Sequence, residues 1–515
     1  MKQWLEHWLV GRSEVLMHQV GGPGAQVDIA SVQVDLFRGN LSWRGIEITA
    51  GASDSVPTSA SITGRVGSIE VSGLSVFSLL LRHRVSVDAL RMHDADLLFR
   101  LRSDTVQRER TEQKTSFAAF FEADSLVLTD VRMGLFRSSG RDTTRMSIGP
   151  GDVRSAGLAV DLSNGIGQGG VRLVGAEMEW DALEGRWGQV YAVRTGRITM
   201  ADGGRTLRVI TPMLTPRIPV ERFPKVERFE KDLFNVQADS ILFRDLDLGR
   251  LLFGKVFQAR LLKIAGPELI VHRDKHMPDP PFIFKPLPAR ALRELPLRLQ
   301  LDTVLLDAGA VSYFERGEEM ADFGEVRFDT LDVIITGTCT SDPHRQDTMH
   351  VRASALAFEK ARIDLDVRLP LEDPDDRIFV HATSTSLPFR AFDRATNDLL
   401  GVRADRGVIL GVRYDMVGDD DGATGTVDME YTDLALEVRR TDGRREARKL
   451  LTLLVNGVVR KENRRASEKD FRLGTFRIDR RKDRAVFNYL WLGLREGMLA
   501  TMLPGAIYAP LREVR

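Results

Sequence analysis

His272, Asp274 and His276 fall at alternate positions in VHRDKHMPD, so on a β-strand the three side chains would share one face. Imidazole and carboxylate in that pattern are a partial ligand set for a metal. No third histidine or cysteine motif completes it, and the segment runs straight into prolines. GIGQGG at 165–170 sets Gly165, Gly167 and Gly170 in a G-x-G-x-x-G spacing. A dinucleotide site needs a helix after those glycines. GVRLVGAEMEW follows instead and reads as a strand, which makes the glycines a hairpin loop. Asp419, Asp420 and Asp421 lack the spacing of a calcium loop and read as a solvated turn. His83 and His93 stand at no ligand spacing, and neither a G-x-S-x-G elbow nor a phosphate-binding loop occurs. Cys339 is the only cysteine, so the chain forms no internal disulfide and no cysteine-based zinc site. The residues therefore point away from catalysis, and they call for no metal and no cofactor.

The elements around these residues are strands. AQVDIASVQVDL (25–36), LSWRGIEIT (41–49), GSIEVSGLSV (67–76) and DLLFRLRS (96–103) alternate apolar and polar residues, as half-buried antiparallel strands do. RGVILGVRYDMVGDDDGATGTVDMEYTDLALEVRR (406–440) reads as a hairpin around an acidic, glycine-containing turn. Helical signals are few. FSLLLRHR (77–84) and GRLLFGKVF (249–257) predict one or two helical turns each. RREARKLLTLLVNGVVRKENRR (444–465) predicts a helix with an apolar stripe of Leu450, Leu451, Leu453, Leu454 and Val458, and AVFNYLWLGLREGMLATML (485–503) predicts another. The proline-rich HMPDPPFIFKPLPARALRELP (276–296) is expected outside or across the sheet, because proline cannot donate to a strand ladder.

The β pattern repeats. SIEVSGLSVFSLLLRHRVSVDALRMHDADLLFRL (68–101) aligns without a gap on SILFRDLDLGRLLFGKVFQARLLKIAGPELIVHR (240–273), and EADSLVLTDVRMGLFRS (122–138) aligns on QLDTVLLDAGAVSYFER (300–316). A duplicated β unit builds a fold that grows by addition and offers a long surface. Four regions follow: an amphipathic helix at 1–25, a first β module at 26–225, a second at 226–440 that repeats the first, and a basic helical segment at 441–515.

With 73 basic and 73 acidic residues the chain has no net charge, which argues against a dedicated nucleic-acid binder. No stretch reaches the roughly 20 apolar residues that span a bilayer. The opening MKQWLEHWLVGRSEVLMHQVGG lacks the layout of a signal peptide and reads as a helix with Trp4, Leu5, Trp8 and Leu9 on one face. Arg444, Arg445, Arg448, Lys449, Arg460 and Lys461 flank the apolar stripe of the helix predicted at 444–465 and are candidates for contact with an anionic membrane surface.

The opening helix with VDIASVQVDLFRGNLSWRGIEI (27–48), the repeated units, and LPLRLQLDTVLLDAGAVSYFER (295–316) with its Tyr313 and Glu315 together resemble the AsmA-like family of bacterial envelope proteins, relatives of TamB. FRIDRRKDRAVFNYLWLGLREGM (476–498) resembles the closing segment of one branch of that family. The resemblance implies an elongated, curled β-sheet with an apolar groove, on the periplasmic side of the inner membrane, that binds or conducts lipids for envelope biogenesis. Family members usually begin with a membrane anchor; here it is expected upstream of this start or is dispensed with.

The fold expected is mainly β: a curled antiparallel sheet with short helices between strands and helical caps at both ends. Its partners are the acyl chains of phospholipid or glycolipid and a membrane surface. Ile69, Val71, Leu97, Phe99, Leu126, Leu128, Ile241, Phe243, Leu269, Val271, Val304 and Leu306 are the candidates for the groove lining. The alternative is a scaffold for envelope or outer-membrane proteins that pairs through sheet edges and carries no lipid.

Overall fold

The computed structural model describes residues 26–35, 37–49, 61–75, 84–102, 120–139, 142–161, 171–254, 256–317, 322–340, 348–392, 402–438, 459–465 and 470–503. The protein is mainly β, as the alternation predicts. It packs as two compact units, Met1–Arg217 with Ala238–Arg260, and Ile218–Gln237 with Leu261–Arg515. The boundary expected from sequence lies at 225/226; in the structure 218–237 belongs with the second unit and 238–260 with the first.

In chain order the strands begin with β1 (Gln26–Asp35), β2 (Asn40–Thr49), β3 (Ser61–Ser72), β4 (Arg84–Arg102), β5 (Phe120–Ser139), β6 (Asp142–Ser155) and β7 (Gly157–Asp161). Short strands follow: β8 (Val171–Val174), β9 (Glu177–Trp180), β10 (Leu183–Trp187), β11 (Tyr191–Arg194), β12 (Ile198–Ala201), β13 (Thr206–Ile210) and β14 (Met213–Pro216). Then come β15 (Leu233–Gln237), in the second unit, β16 (Ser240–Arg244), helix α1 (Leu248–Gly254) and β17 (Val256–Ala265), which crosses the division between units. The second unit continues with β18 (Glu268–Asp274), α2 (Pro288–Arg293), β19 (Arg298–Arg316), β20 (Gly324–Cys339), β21 (Thr348–Ala357), β22 (Ala361–Pro370), β23 (Ile378–Ser384) and β24 (Leu387–Pro388). It ends with the hairpin β25 (Val402–Gly418) and β26 (Gly422–Val438), then β27 (Gly474–Asp479) and helix α3 (Val486–Met502).

Most neighbours pair antiparallel, but β4–β5 and β18–β19 are parallel, which corrects the expectation of antiparallel pairing throughout. Parallel neighbours need a crossover of about a dozen residues or more. The connections at 103–119 and 275–297 supply that length.

The repeat seen in the sequence is present in the backbone. Gly73 and Asp245, at matching positions, both take left-handed φ, 70° and 52°. So do Asp94 and Gly266 (53° and 56°) and Asp130 and Ala308 (53° and 54°). The parallel registers coincide, since Asp96 pairs with Arg132 in one copy and Glu268 with Ala310 in the other. Bulges fall at equivalent places, after Leu128 and Val131 in β5 and after Leu306 and Gly309 in β19.

Two cores form. In the first unit, Leu41, Trp43, Ile46, Ile48, Val66, Ala95 and Val131 make a cluster built from β2, β3, β4 and β5, with half-buried side chains of β1 packed on it. In the second unit, β21–β23 and β25–β27 pack under Leu287 and Ala289 near α2, under Phe389, and under Tyr489 of α3. The predicted helix at 485–503 is thus observed as α3. It presses Tyr489, Gly493, Glu496, Gly497 and Thr501 inward. Glycine is needed at 497, because a Cβ there would lie 2.2 Å from Val427 Cγ2.

Charges fix this end of the second unit. The Glu230 carboxylate, 4% exposed, pairs with Arg273 and, at 3.3 Å, with Arg484 just before α3. A buried carboxylate is tolerated only when so paired. Arg480, whose side chain is 1% exposed, binds Asp420 and the Lys285 carbonyl, which ties the proline-rich segment to the end of β27.

The predicted helix at 1–25, the helical turn over 77–83 and the helix over 444–458 lie outside the described residues. Residues 459–465 are described and are not helical. There Asn463 bridges to Tyr431 and donates from Nδ2 to the Met429 carbonyl at 2.8 Å.

Candidate functional site

The main feature of the first unit is an apolar face that runs from strand to strand in register. Paired residues in a sheet put their side chains on the same face. From β1 through β2, β3, β4, β5, β6, β9, β12, β13 and β16, one row of partners reads Val32, Trp43, Ile69, Met92, Leu128, Val153, Met178, Met200, Leu207, Phe243. The row beside it reads Ile29, Ile46, Val66, Ala95, Val131, Gly151, Trp180, Ile198, Val209, Ile241 over the same strands. Neither row contains a titratable side chain. The opposite face of the same strands carries exposed Arg44, Arg65, Glu70 and Arg91.

Local backbone keeps both rows on one side. Trp43 and Ile46 are three residues apart, so simple alternation would send them to opposite faces. Gly45, at φ 62°, absorbs the extra residue. Asp94 and Asp130, at φ 53° each, do the same between Met92 and Ala95 and between Leu128 and Val131. Gly151 leaves room for the Trp180 ring, and Trp180 Nε1 donates to the Val131 carbonyl at 3.3 Å. Phe243 meets Phe257 edge to face, with ring centroids 5.4 Å apart.

The groove candidates of the first unit all lie on this face. Ile69, Leu128, Ile241 and Phe243 are in the two rows. Val71 pairs with Leu41 and Leu90, and Leu90 with Leu126. Leu97 pairs with Gly64 and Met133, and Phe99 with Ile62 and Leu135. Leu126 is buried and the others are half-buried. Sequence reasoning missed Trp43, Met92, Val153, Met178, Met200 and Leu207. Their signal was the alternation of the short strands around them, interrupted by the extra residues at Gly45 and Asp94.

In the second unit Leu269 pairs with Val236 and Val311, and Val271 with Phe234 and Tyr313. Val304 and Leu306 begin further apolar rows. Val304 leads through Ile335, Val351, Val367 and Val380 to Met416, and Leu306 through Val333, Ala353, Leu365 and Ala382 to Tyr414. These rows end differently from those of the first unit. Their far members enter the core closed by α3 and the chain around α2. There burial pushes the Tyr431 phenol up to about 12, so it stays neutral.

The residues considered for chemistry have structural partners. His272 stacks on Phe314 with centroids 4.8 Å apart, and burial holds its pKa below the usual imidazole range. Asp274 pairs with Arg316 and accepts the His276 N–H at 3.0 Å. Among the described residues no group of three His, Cys, Asp or Glu is placed to hold a metal ion. Asp419 accepts the N–H groups of Asp421 and Gly422 at 2.8 and 3.0 Å, an Asx-type turn between β25 and β26. Tyr313 donates to Glu315 at 2.7 Å. GIGQGG lies outside the described residues, between the paired strands β7 and β8.

Of the membrane-surface candidates, Arg444, Arg445, Arg448 and Lys449 lie outside the described residues. Lys461 is exposed, whereas Arg460 is half-buried and donates from Nη2 to the Asp470 carbonyl at 2.5 Å. Among the described residues no helix is long and apolar enough to cross a membrane.

No protein-family model matches this sequence, and no curated protein matches it. The arrangement itself can bury apolar ligand. It offers no nucleophile, acid or base along the two rows.

Proposed function

We propose that this protein is a non-enzymatic lipid binder whose apolar face in the first unit holds the acyl chains of phospholipid or glycolipid. The observation that carries the reading is the pair of uninterrupted apolar rows from Val32 to Phe243 and from Ile29 to Ile241. The buried cluster of Trp43, Ile46, Val66, Ala95 and Val131, with Leu74 packed on it, closes part of that face with protein, while most groove candidates stay half-buried and leave apolar area for a ligand. A sheet with one apolar face needs a cover. An acyl chain of about a dozen methylenes gains roughly 10 kcal/mol on burial, enough to serve as one. The curled, elongated form and the place on the periplasmic side of the inner membrane belong to this proposal, and they rest on the resemblance to AsmA-like proteins. Envelope biogenesis is the corresponding role.

A photo-crosslinking amino acid placed at Leu128 tests the reading in cells. The account expects a lipid adduct from Leu128 and none from Val127, which faces the other side. Equal labelling from both positions, or none from either, contradicts it.

One observation favours a second reading. Among the described residues β1 pairs only with β2, so its other edge is open to β-augmentation by a client strand. That reading, a scaffold for envelope or outer-membrane proteins, expects no bound lipid.

A further inference from the structure

The polar side of the first unit holds a second feature. A cleft of about 650 Å3 is lined by Asp202, Arg205, Thr206, Arg208, Arg244, Asp245 and Arg260, with Leu242 at its wall. Arg208 lies on β13 and Arg244 on β16, at alternate positions to Leu207 and Phe243, and so on the face opposite the apolar rows. Arg205 and Asp245 sit at the ends of those strands, where the Leu246 N–H donates to the Arg205 carbonyl at 3.0 Å.

We propose that this cleft binds a phosphoryl anion. Four guanidinium groups stand against two carboxylates, which leaves the cleft positive. Asp245 organises two of the four: its carboxylate accepts from Arg205 Nη2, and from Arg260 Nε at 2.6 Å. Each guanidinium has five N–H donors, so most remain for a ligand. The Asp202 carboxylate is occupied by the Thr206 hydroxyl at 2.6 Å. Among the described residues the guanidinium groups of Arg208 and Arg244 have no hydrogen-bond or ion-pair partner. Paired guanidiniums match phosphoryl oxygens in bidentate geometry. The volume suits a phosphorylated headgroup or a small free phosphate ester. Because the cleft and the apolar rows lie on opposite faces, either proposal can fail without the other.

The test uses the full chain and the doubly substituted Arg208→Gln/Arg244→Gln protein, whose changed side chains are exposed and carry no core contact. Inorganic pyrophosphate is titrated calorimetrically at low salt. In parallel, flotation compares vesicles of phosphatidylcholine with and without phosphatidic acid. The proposal expects the unsubstituted chain to bind at least one probe, with affinity falling about tenfold or more in the double variant. Pyrophosphate binding identifies a free phosphate compound as the source. Binding only to vesicles with phosphatidic acid identifies a lipid headgroup. Binding of neither probe, or equal binding by the double variant, overturns the proposal.

Discussion

Asp332 holds the backbone of Ala308: its carboxylate accepts the Ala308 N–H at 2.9 Å. The same bond recurs in the other copy of the repeat, where the Asp152 carboxylate accepts the Asp130 N–H at 3.0 Å. Asp130 and Ala308 are equivalent positions, and both are left-handed. A carboxylate from the neighbouring strand thus stabilises the backbone step that shifts side-chain phase in β5 and again in β19. The two segments share little sequence identity yet keep this device.

Ala308 takes this conformation, at φ 54°, with a Cβ that disfavours it, while Asp is better suited to the equivalent site. Ala308→Gly is expected to raise stability by about 0.5–1 kcal/mol, the relief of left-handed strain less the entropy of the freer unfolded chain. Denaturant titration reads this directly. A loss of stability would mean that the methyl packs favourably and that strain is negligible.

The closed end of the second unit depends on close approach of α3. Gly497→Ala places a methyl 2.2 Å from Val427 Cγ2 and 2.7 Å from Val427 Cβ, and so forces the helix outward. The expected cost is about 1–3 kcal/mol, the range for overpacking. An unchanged unfolding midpoint would show that α3 does not seal this core.

His272 gives acid sensitivity with a definite sign. Burial against Phe314 holds its pKa in the folded protein below the unfolded value. Its contribution is therefore fully present above the ordinary imidazole value of about 6.5 and is lost as pH falls from there through the folded pKa. His272→Phe keeps the ring stack and removes the titration. The variant should lose less stability than the unsubstituted protein between neutral pH and mild acid. Parallel pH profiles for the two proteins would contradict this.

Leu128 sits mid-row between Met92 and Val153. Leu128→Asp is expected to keep the β-sheet circular dichroism signal but to lose retained lipid, whereas Val127→Asp, on the other face, retains it. If Leu128→Asp unfolds instead, the face is a closed protein core.

Much of the β architecture was legible, because alternation survives in strands such as 96–102 and 406–417. The acidic hairpin, α1 and α3 were legible for similar local reasons. The two parallel pairs were not, since strand direction depends on where a crossover lands and alternation is the same either way. The phase of the apolar face was legible only in pieces. Each extra residue, at Gly45, Asp94 or Asp130, breaks the period-two pattern that sequence reading follows. Closure of the second unit's face was hidden for another reason. Leu287 and Ala289 reach that core from a proline-rich segment whose composition marks it as lying outside the sheet.

The central claim is that lipid covers the apolar rows of the first unit. Mass spectrometry of organic extracts from protein purified without detergent tests it most directly. The account predicts phospholipid or glycolipid in stoichiometric or greater amount per chain, depleted in the Leu128→Asp variant. A purified, folded chain with no lipid above a matched control would contradict it.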